Sequence, residues 1–378
     1  MMRKPNILFV FSDQQRWDTM GCYGQKQPVT PNLDRLAQKG TRFENTFTCQ
    51  PVCGPARACL QSGRYATEIG CYRNNIALPR GSIRTLADRM HEAGYETGYI
   101  GKWHLASTGG DSHENLGERF NCRTSAVPPA LRGGYRDYWL ASDALEWTSH
   151  GYDGHMFGAD MKQVDFKGYR VDCVTDFALD YLRSRKLDRP FFLFLSYLEP
   201  HFQNDHNRFE GPVGSKERFR DYEVPGDLAG TAGDWRENYP DYLGCCESID
   251  RNFGRIRDML DRRGIADDTV VFYSSDHGCH FRTRNSEYKR SCHEASIRVP
   301  LIAAGPGFDG GGVVRRLVSS IDIPPTLLRC AGAASDGMSG RALQPLLNGN
   351  AADWPDDVFI KISESQVGRA IRTARWKY

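Results

Sequence analysis

The chain has 378 residues, of which 25% are charged, with a formal net charge of +2. That length can bury a sizeable core, and the near-neutral balance gives no bulk attraction to nucleic acid or to an anionic membrane. No run of about 18 apolar residues is present, so no transmembrane helix is expected. The basic clusters Arg183-Ser-Arg185-Lys186 and Arg262-Arg263 are short and read as solvated helix faces. Met1-Met-Arg-Lys runs straight into an apolar segment with no room for a signal peptide, so a cytoplasmic protein is expected, or a periplasmic or secreted one whose signal was removed. The twelve cysteines include no C-x-x-C pair, which argues against structural zinc and for reduced thiols, with a disulfide left open where Cys22, Cys49, Cys59 and Cys71 crowd together.

In chain order, Pro5-Asn-Ile-Leu-Phe-Val-Phe-Ser-Asp13-Gln14 reads as a buried parallel strand whose end delivers polar groups to a loop. Carboxylates at such a point face the crevice at the end of an α/β sheet, where ligands usually sit. Thr97-Gly-Tyr-Ile100 suggests another strand, followed by Gly101-Lys102-Trp103-His104-Leu105. From about Ala106 to Gly168 the chain is rich in Gly, aromatic and charged residues with weak periodicity, as expected of a long insertion over a site. Phe191-Phe-Leu-Phe-Leu-Ser196 is a further buried strand, with Glu199-Pro200-His201 after it. Apolar residues at 242, 243, 246, 249, 253, 256 and 260 mark one face of a helix that Gly264 stops. Thr269-Val-Val-Phe-Tyr-Ser-Ser-Asp276-His277-Gly278 repeats the form of a strand ending in ligands. Lys289 lies ahead of Glu294-Ala-Ser-Ile-Arg298-Val-Pro300-Leu-Ile, read as one more strand. Val318 to Leu328, Val358-Phe-Ile-Lys-Ile362 and Ala370 to Tyr378 come last. No internal repeat or low-complexity tract occurs.

The rarest stretch is Cys53-Gly-Pro-Ala-Arg57-Ala-Cys-Leu-Gln-Ser-Gly63-Arg64. Taken alone, it also reads as a buried thiol at a helix start, with Pro55 in the first turn and Arg57 in an ion pair. Each lone Asp or His has a similarly plain reading as a cap or a satisfied polar contact, and Lys289 beside Arg290 as a surface charge. The stretch resembles the type I sulfatase signature, C-x-P-x-R followed by Gly-Arg, and the likeness continues through Gly101-Lys102-Trp103-His104, Pro200-His201, Asp276-His277 and Lys289. Where the family commonly has Asp-Asp after its first strand, this chain has Asp13-Gln14, which leaves the site one negative charge short.

The resemblance implies the alkaline phosphatase-like fold: a doubly wound, mostly parallel α/β sheet with helices on both faces over residues 1–350, an insertion at 106–168, and the start of a small C-terminal α+β subdomain at 351–378. Family members usually continue further, so a truncated C-terminus is expected. It implies that Cys53 is converted by a maturation enzyme to formylglycine, whose hydrate is the nucleophile. It also implies a divalent metal held by Asp13, Gln14, Asp276, His277 and residue 53. The oxygen-rich set suits Ca2+, with Mg2+ also possible and Mn2+ left open because His277 adds a nitrogen. Arg57, Lys102 and Lys289 would bind the sulfuryl oxygens, His201 would protonate the leaving alcohol, and His104 would take the proton that re-forms the aldehyde. Asn74 is a weak candidate for the pocket wall, with a turn residue as its plain reading. The expected reaction is hydrolysis of a sulfate monoester, on a sulfated carbohydrate or an aryl sulfate. Three alternatives stay open: a phosphonate or phosphate ester hydrolase of the same superfamily, a non-catalytic metal and sulfate binder, and a thiol enzyme using Cys53 with His104 or His201.

Overall fold

A computed structural model of the chain describes residues 4–107, 121–349 and 351–378. Part of the 106–168 segment therefore lies outside the described residues. The strands are β1 Asn6–Ser12, β2 Thr41–Phe47, β3 Glu96–Lys102, β4 Tyr138–Ser142, β5 Asp153–Gly158, β6 Gln163–Lys167, β7 Phe191–Ser196, β8 Thr269–Ser275, β9 Arg298–Val299, β10 Leu301–Ala304, β11 Gly312–Ser319, β12 Asp357–Glu364 and β13 Gln366–Thr373. The helices are α1 Pro31–Lys39, α2 Cys53–Ser62, α3 Leu86–Glu92, α4 Leu145–Thr148, α5 Arg170–Ser184, α6 Ser215–Arg218, α7 Trp235–Arg262, α8 Glu294–Ile297, α9 Ile323–Cys330 and α10 Gln344–Leu347.

One large sheet runs β11-β2-β10-β8-β1-β7-β3-β4-β5-β6, with β9 paired to β2, and β12-β13 form a separate hairpin. Its centre, β8-β1-β7-β3-β4, is parallel. β1, β7 and β8 are buried along their whole length, as their unbroken apolar runs require of strands covered on both faces. Alternation then divides the core. Ile7, Phe9 and Phe11 pack with residues of α2, α3 and α9, whereas Leu8 and Val10 pack with residues of α1, α5 and α7. Helices thus cover both faces of a mostly parallel sheet, as expected.

Two readings change. The segment Ile297 to Ile302 is not one strand: α8 ends at Ile297, and Pro300 separates β9 from β10. Proline has no N–H for the ladder, so it sits where pairing passes from one strand to the next. The weakly periodic stretch before Gly168 supplies β4, β5 and β6, which extend the sheet edge. β6 is half exposed and carries Gln163, Asp165 and Lys167 outward, so it shows little of a buried strand's signature. All twelve cysteines are free, and no disulfide joins Cys22, Cys49, Cys59 and Cys71. The hairpin packs Val358, Ile360 and Ala370 against Phe47, Ile297 and Leu317. No helix among the described residues is long and apolar enough to cross a membrane.

Candidate active site

The carboxyl ends of the central strands converge. Ser12 of β1 pairs with Ser275 of β8, so Asp13 and Asp276 leave the sheet side by side. β3 ends in Lys102, and β7 leads through Tyr197 to Pro200 into His201. Gly101 lets β3 come close to β7: its φ is 104°, and a Cβ there would meet the Ser196 carbonyl oxygen at 1.9 Å.

Cys53 opens α2, a helix whose ten residues are all buried. Pro55 falls in the first turn, where its missing N–H costs nothing, and Gly63 closes the helix in the left-handed conformation with its N–H on the Cys59 carbonyl at 2.8 Å. The side chain of Asn74 accepts the N–H of Gly54 at 2.9 Å, satisfying a first-turn donor. Asn74 therefore combines its two readings, since it caps α2 and also borders the cavity above Cys53.

Around Cys53 Sγ stand Lys289 Nζ at 2.8 Å, His277 Nε2 at 3.3 Å and Asp13 Oδ1 at 3.4 Å. Asp13, Cys53, Asp276 and His277 each offer one donor atom, all within 4.8 Å of one another. His277 gives its Nδ1–H to the Gly278 carbonyl at 2.9 Å, which leaves Nε2 as an electron-pair donor toward the cluster. Asp276 Oδ1 accepts the backbone N–H groups of Gln14 and His277 at 2.9 and 2.8 Å. Asp276 Oδ2 and Gln14 Oε1 are buried without a hydrogen-bond partner. Two oxygens without hydrogen-bond partners beside Asp13, and the His277 Nε2 lone pair facing Cys53 Sγ, fit a divalent cation that prefers oxygen ligands.

The charges support that fit. Burial and the Cys53 sulfur raise the Asp13 carboxyl, but Lys102, His201 and Arg57 outweigh them and hold it well below the usual carboxylate range. Burial first, and Asp13 next, push Asp276 up to about 7. Burial and mutual repulsion thus disfavour ionising both carboxylates in this dry site, and a divalent cation would favour it. Burial opposes ionisation of Cys53, yet Lys289, Lys102 and His277 draw the thiol well below its ordinary value.

Arg57 and Lys102 lie behind these groups. Arg57 Nη2 donates to Asp13 Oδ2 at 3.0 Å, its Nη1 donates to the Lys102 carbonyl and Ser196 Oγ at 2.9 and 2.7 Å, and its Nε stands 3.5 Å from Asp276 Oδ2. Lys102 Nζ bridges Asp13 Oδ2 at 2.9 Å and Glu146 Oε1 at 3.2 Å. Burial works against the charge on Lys102, but Asp13 and Glu146 keep it protonated. Neither Arg57 nor Lys102 borders the cavity; both fix carboxylates that do the holding.

The cavity measures about 400 Å3 and is bordered by Cys53, His104, His201 and Lys289. His104 is in the left-handed conformation at φ 58°, held by its N–H on the Asp143 carbonyl at 2.8 Å, and its Nδ1 has no hydrogen-bond partner. His201 gives Nδ1–H to the Phe202 carbonyl at 2.7 Å and accepts from Lys289 Nζ at 3.1 Å through Nε2. Burial, then Lys289, lowers the His201 imidazole below its ordinary value.

Several residues here went unread in the sequence. Glu146 on α4 pairs with Lys102, and burial of its carboxyl is more than offset by Lys102 and His104. Glu364 at the end of β12 accepts the Asn74 N–H at 3.0 Å and pairs with Arg290 at 3.2 Å, bringing the hairpin to the cavity rim. Arg16 is fully buried, donates to Asp227 and to the Cys279 carbonyl, and so ties the Asp13 loop to the Asp276 loop. The only trace of Arg16 in the sequence is a charged residue placed directly after a strand end, and Glu146 and Glu364 left none.

Residues 5–333 match the family model described as Sulfatase. The chain is 32% identical to an uncharacterized sulfatase of Escherichia coli K12, covering 87% of this chain and 68% of that one. It is 25% identical to an N-acetylglucosamine-6-O-sulfatase of Bacteroides thetaiotaomicron, covering 93% and 73%. Among solved structures, a Bacteroides thetaiotaomicron protein of glycosaminoglycan metabolism has a TM-score of 0.84 at 24% identity, covering 99% of this chain and 86% of that one. The phosphonate monoester hydrolase of Agrobacterium radiobacter shares the fold at a TM-score of 0.72 and 22% identity, covering 99% and 86%. The chain belongs to the sulfatase family, and it is a sulfuric ester hydrolase. Membership implies a divalent metal and a formylglycine, and Asp13, Cys53, Asp276 and His277 form a buried cluster that could hold a metal ion.

Proposed function

We propose that this protein hydrolyses a sulfate monoester on a saccharide, with formylglycine at position 53 and Ca2+ held by Asp13, Gln14, Asp276, His277 and residue 53. The observation that carries the reading is Cys53 Sγ at the floor of the cavity, with Lys289, His277 and Asp13 all within 3.4 Å. When present, the cation and the aldehyde hydrate supply charge neutralisation and an oxygen nucleophile.

The chain's own residues account for the rest. Lys289 puts a positive charge on the cavity side of residue 53, where a sulfuryl oxygen would rest. His201 stays neutral with Nε2 held by Lys289, so a proton can pass from the ammonium through the imidazole to a departing alcohol oxygen. His104 faces the same cavity with a free ring nitrogen and is suited to accept a proton at residue 53. Arg57 and Lys102 hold the carboxylates in place. The aromatic and polar border, Trp147, Phe202, Tyr288, Asn204 and Asn207, suits the apolar faces and hydroxyl edges of a sugar ring. The relative that acts on N-acetylglucosamine 6-O-sulfate supports a saccharide as substrate.

A second reading, hydrolysis of a phosphonate or phosphate ester, rests on Gln14 in place of an acidic ligand. Initial rates on sulfated saccharides, an aryl sulfate and a phosphonate monoester decide between them, using protein whose residue 53 is verified as formylglycine by peptide mass. Faster phosphonate cleavage would favour the second reading.

A further inference from the structure

We propose that His150, Asp205 and His206 form a second metal site, on the surface and separate from the Cys53 cluster, that takes a borderline transition ion such as Zn2+. The three donors lie within 4.8 Å of one another and come from two loops, one leading into β5 and one following His201. His150 Nε2 stands 2.8 Å and His206 Nε2 3.9 Å from the same oxygen, Asp205 Oδ2. The rings are stacked at 4.9 Å with an 11° tilt, so one ring must turn for both Nε2 lone pairs to point at a single ion.

The outer nitrogen of His206 is held as metal-binding imidazoles usually are. His206 Nδ1 meets Glu210 Oε1 at 2.6 Å, and His150 Nδ1 faces Asp153 Oδ1 at 3.8 Å. Glu210 fixes the His206 tautomer that leaves Nε2 as an electron-pair donor, whereas His150 Nε2–H donates to Asp205 Oδ2 at 2.8 Å and gives up that proton when an ion binds. Asp205 is fixed as well: its Oδ1 accepts from the buried Gln203 at 2.8 Å, which leaves Oδ2 for the cluster. Two imidazoles and one carboxylate, open to solvent on one side, match a tetrahedral ion with water as its fourth ligand. Without a cation, protonating both stacked rings would set like charges face to face.

The site bears on the cavity through Gln203. That side chain also donates to the Glu146 carbonyl at 2.8 Å, and Asn204 and Asn207 of the same loop border the cavity. A bound ion would therefore clip this loop to the β5 loop and stiffen the wall facing the substrate.

The test is Zn2+ binding by the full-length protein in competition with a chromophoric chelator, together with Co2+ absorption. Wild type should bind one more Zn2+ equivalent than the His150→Ala/His206→Ala variant, and the Co2+ difference spectrum between the two should show four-coordinate bands without sulfur-to-cobalt charge transfer. The absence of that charge transfer separates this site from one that uses the Cys53 thiol. Glu210→Gln keeps all three ligands and should weaken binding about ten-fold. The three ligands are 36 to 49% exposed, so the double variant should unfold in metal-free buffer at the wild-type temperature. Equal Zn2+ stoichiometry and affinity in wild type and double variant, or a Co2+ difference spectrum without those bands, would overturn the proposal.

Discussion

Arg57 Nη2 donates to Asp13 Oδ2 at 3.0 Å with both side chains buried, and the same guanidinium lies 3.5 Å from Asp276. One cation thus restrains both carboxylates that end β1 and β8. Arg57→Ala would take the shared guanidinium from two buried acids, and removing one partner of a buried pair costs about 3 to 5 kcal/mol. Urea unfolding should show that loss as a lower midpoint. Arg57→Lys should recover little of it, because an ammonium cannot also span the Lys102 carbonyl and Ser196 Oγ. A midpoint within experimental error of wild type would contradict this role.

Asn74 caps α2 at Gly54 from a distant loop. Asn74→Ala should cost about 1 kcal/mol, the usual loss for an N-terminal cap. Since residue 53 sits at the same helix end, catalysis should fall as well. Thermal unfolding and kcat measured on one preparation would reveal both effects; a change in KM alone would reduce Asn74 to a lining residue.

His280 gives stability a pH dependence outside the reacting groups. It is fully buried, donates Nε2–H to the Lys289 carbonyl at 3.1 Å, and is pushed by burial from 6.5 down to about 4. A lowered folded value means the unfolded chain binds the proton more readily. The contribution is therefore complete above pH 6.5 and is lost as pH falls through about 4. Its full size is about 3 kcal/mol. Unfolding free energies across that window should flatten in His280→Gln; an unchanged slope would place the titration elsewhere.

Gln14 carries a buried, unpartnered Oε1 beside Asp13 and adopts φ 70°. Asp tolerates that left-handed backbone. Gln14→Asp should add a full negative charge to the cation site and tighten Ca2+ about ten-fold, in line with tuning by ligand charge. Chelation should lower the Tm of the wild type, and added Ca2+ should restore it. Calorimetric titration gives the affinities, and equal values for the two proteins would remove Gln14 from the ligand set.

How much of this was legible depends on whether a residue's partner is near it in sequence or pattern. β1, β7 and β8 were readable because strands covered on both faces must be apolar throughout, and their polar ends announced Asp13, His201 and Asp276. Lys289 lies in a turn with no periodicity, and only the family likeness singled it out. Glu146 and Glu364 were invisible because each matters through a partner far away in the chain, Lys102 or Asn74, and no local pattern encodes such a pairing. For Arg57 the sequence shows none of its partners Asp13, Ser196 and the Lys102 carbonyl, a geometry that appears only after β1, β3 and β7 are assembled. Pro300 was treated as tolerated within a strand, but its missing N–H divides that strand.

The most direct measurement is the initial rate of sulfate release from a sulfated saccharide by three preparations: protein with formylglycine verified at position 53, unmodified Cys53 protein, and Cys53→Ser. Only the modified protein should turn over, because neither a thiol nor a single hydroxyl provides the second oxygen needed to expel sulfate. Equal rates in all three would contradict the account and assign the nucleophile to another group.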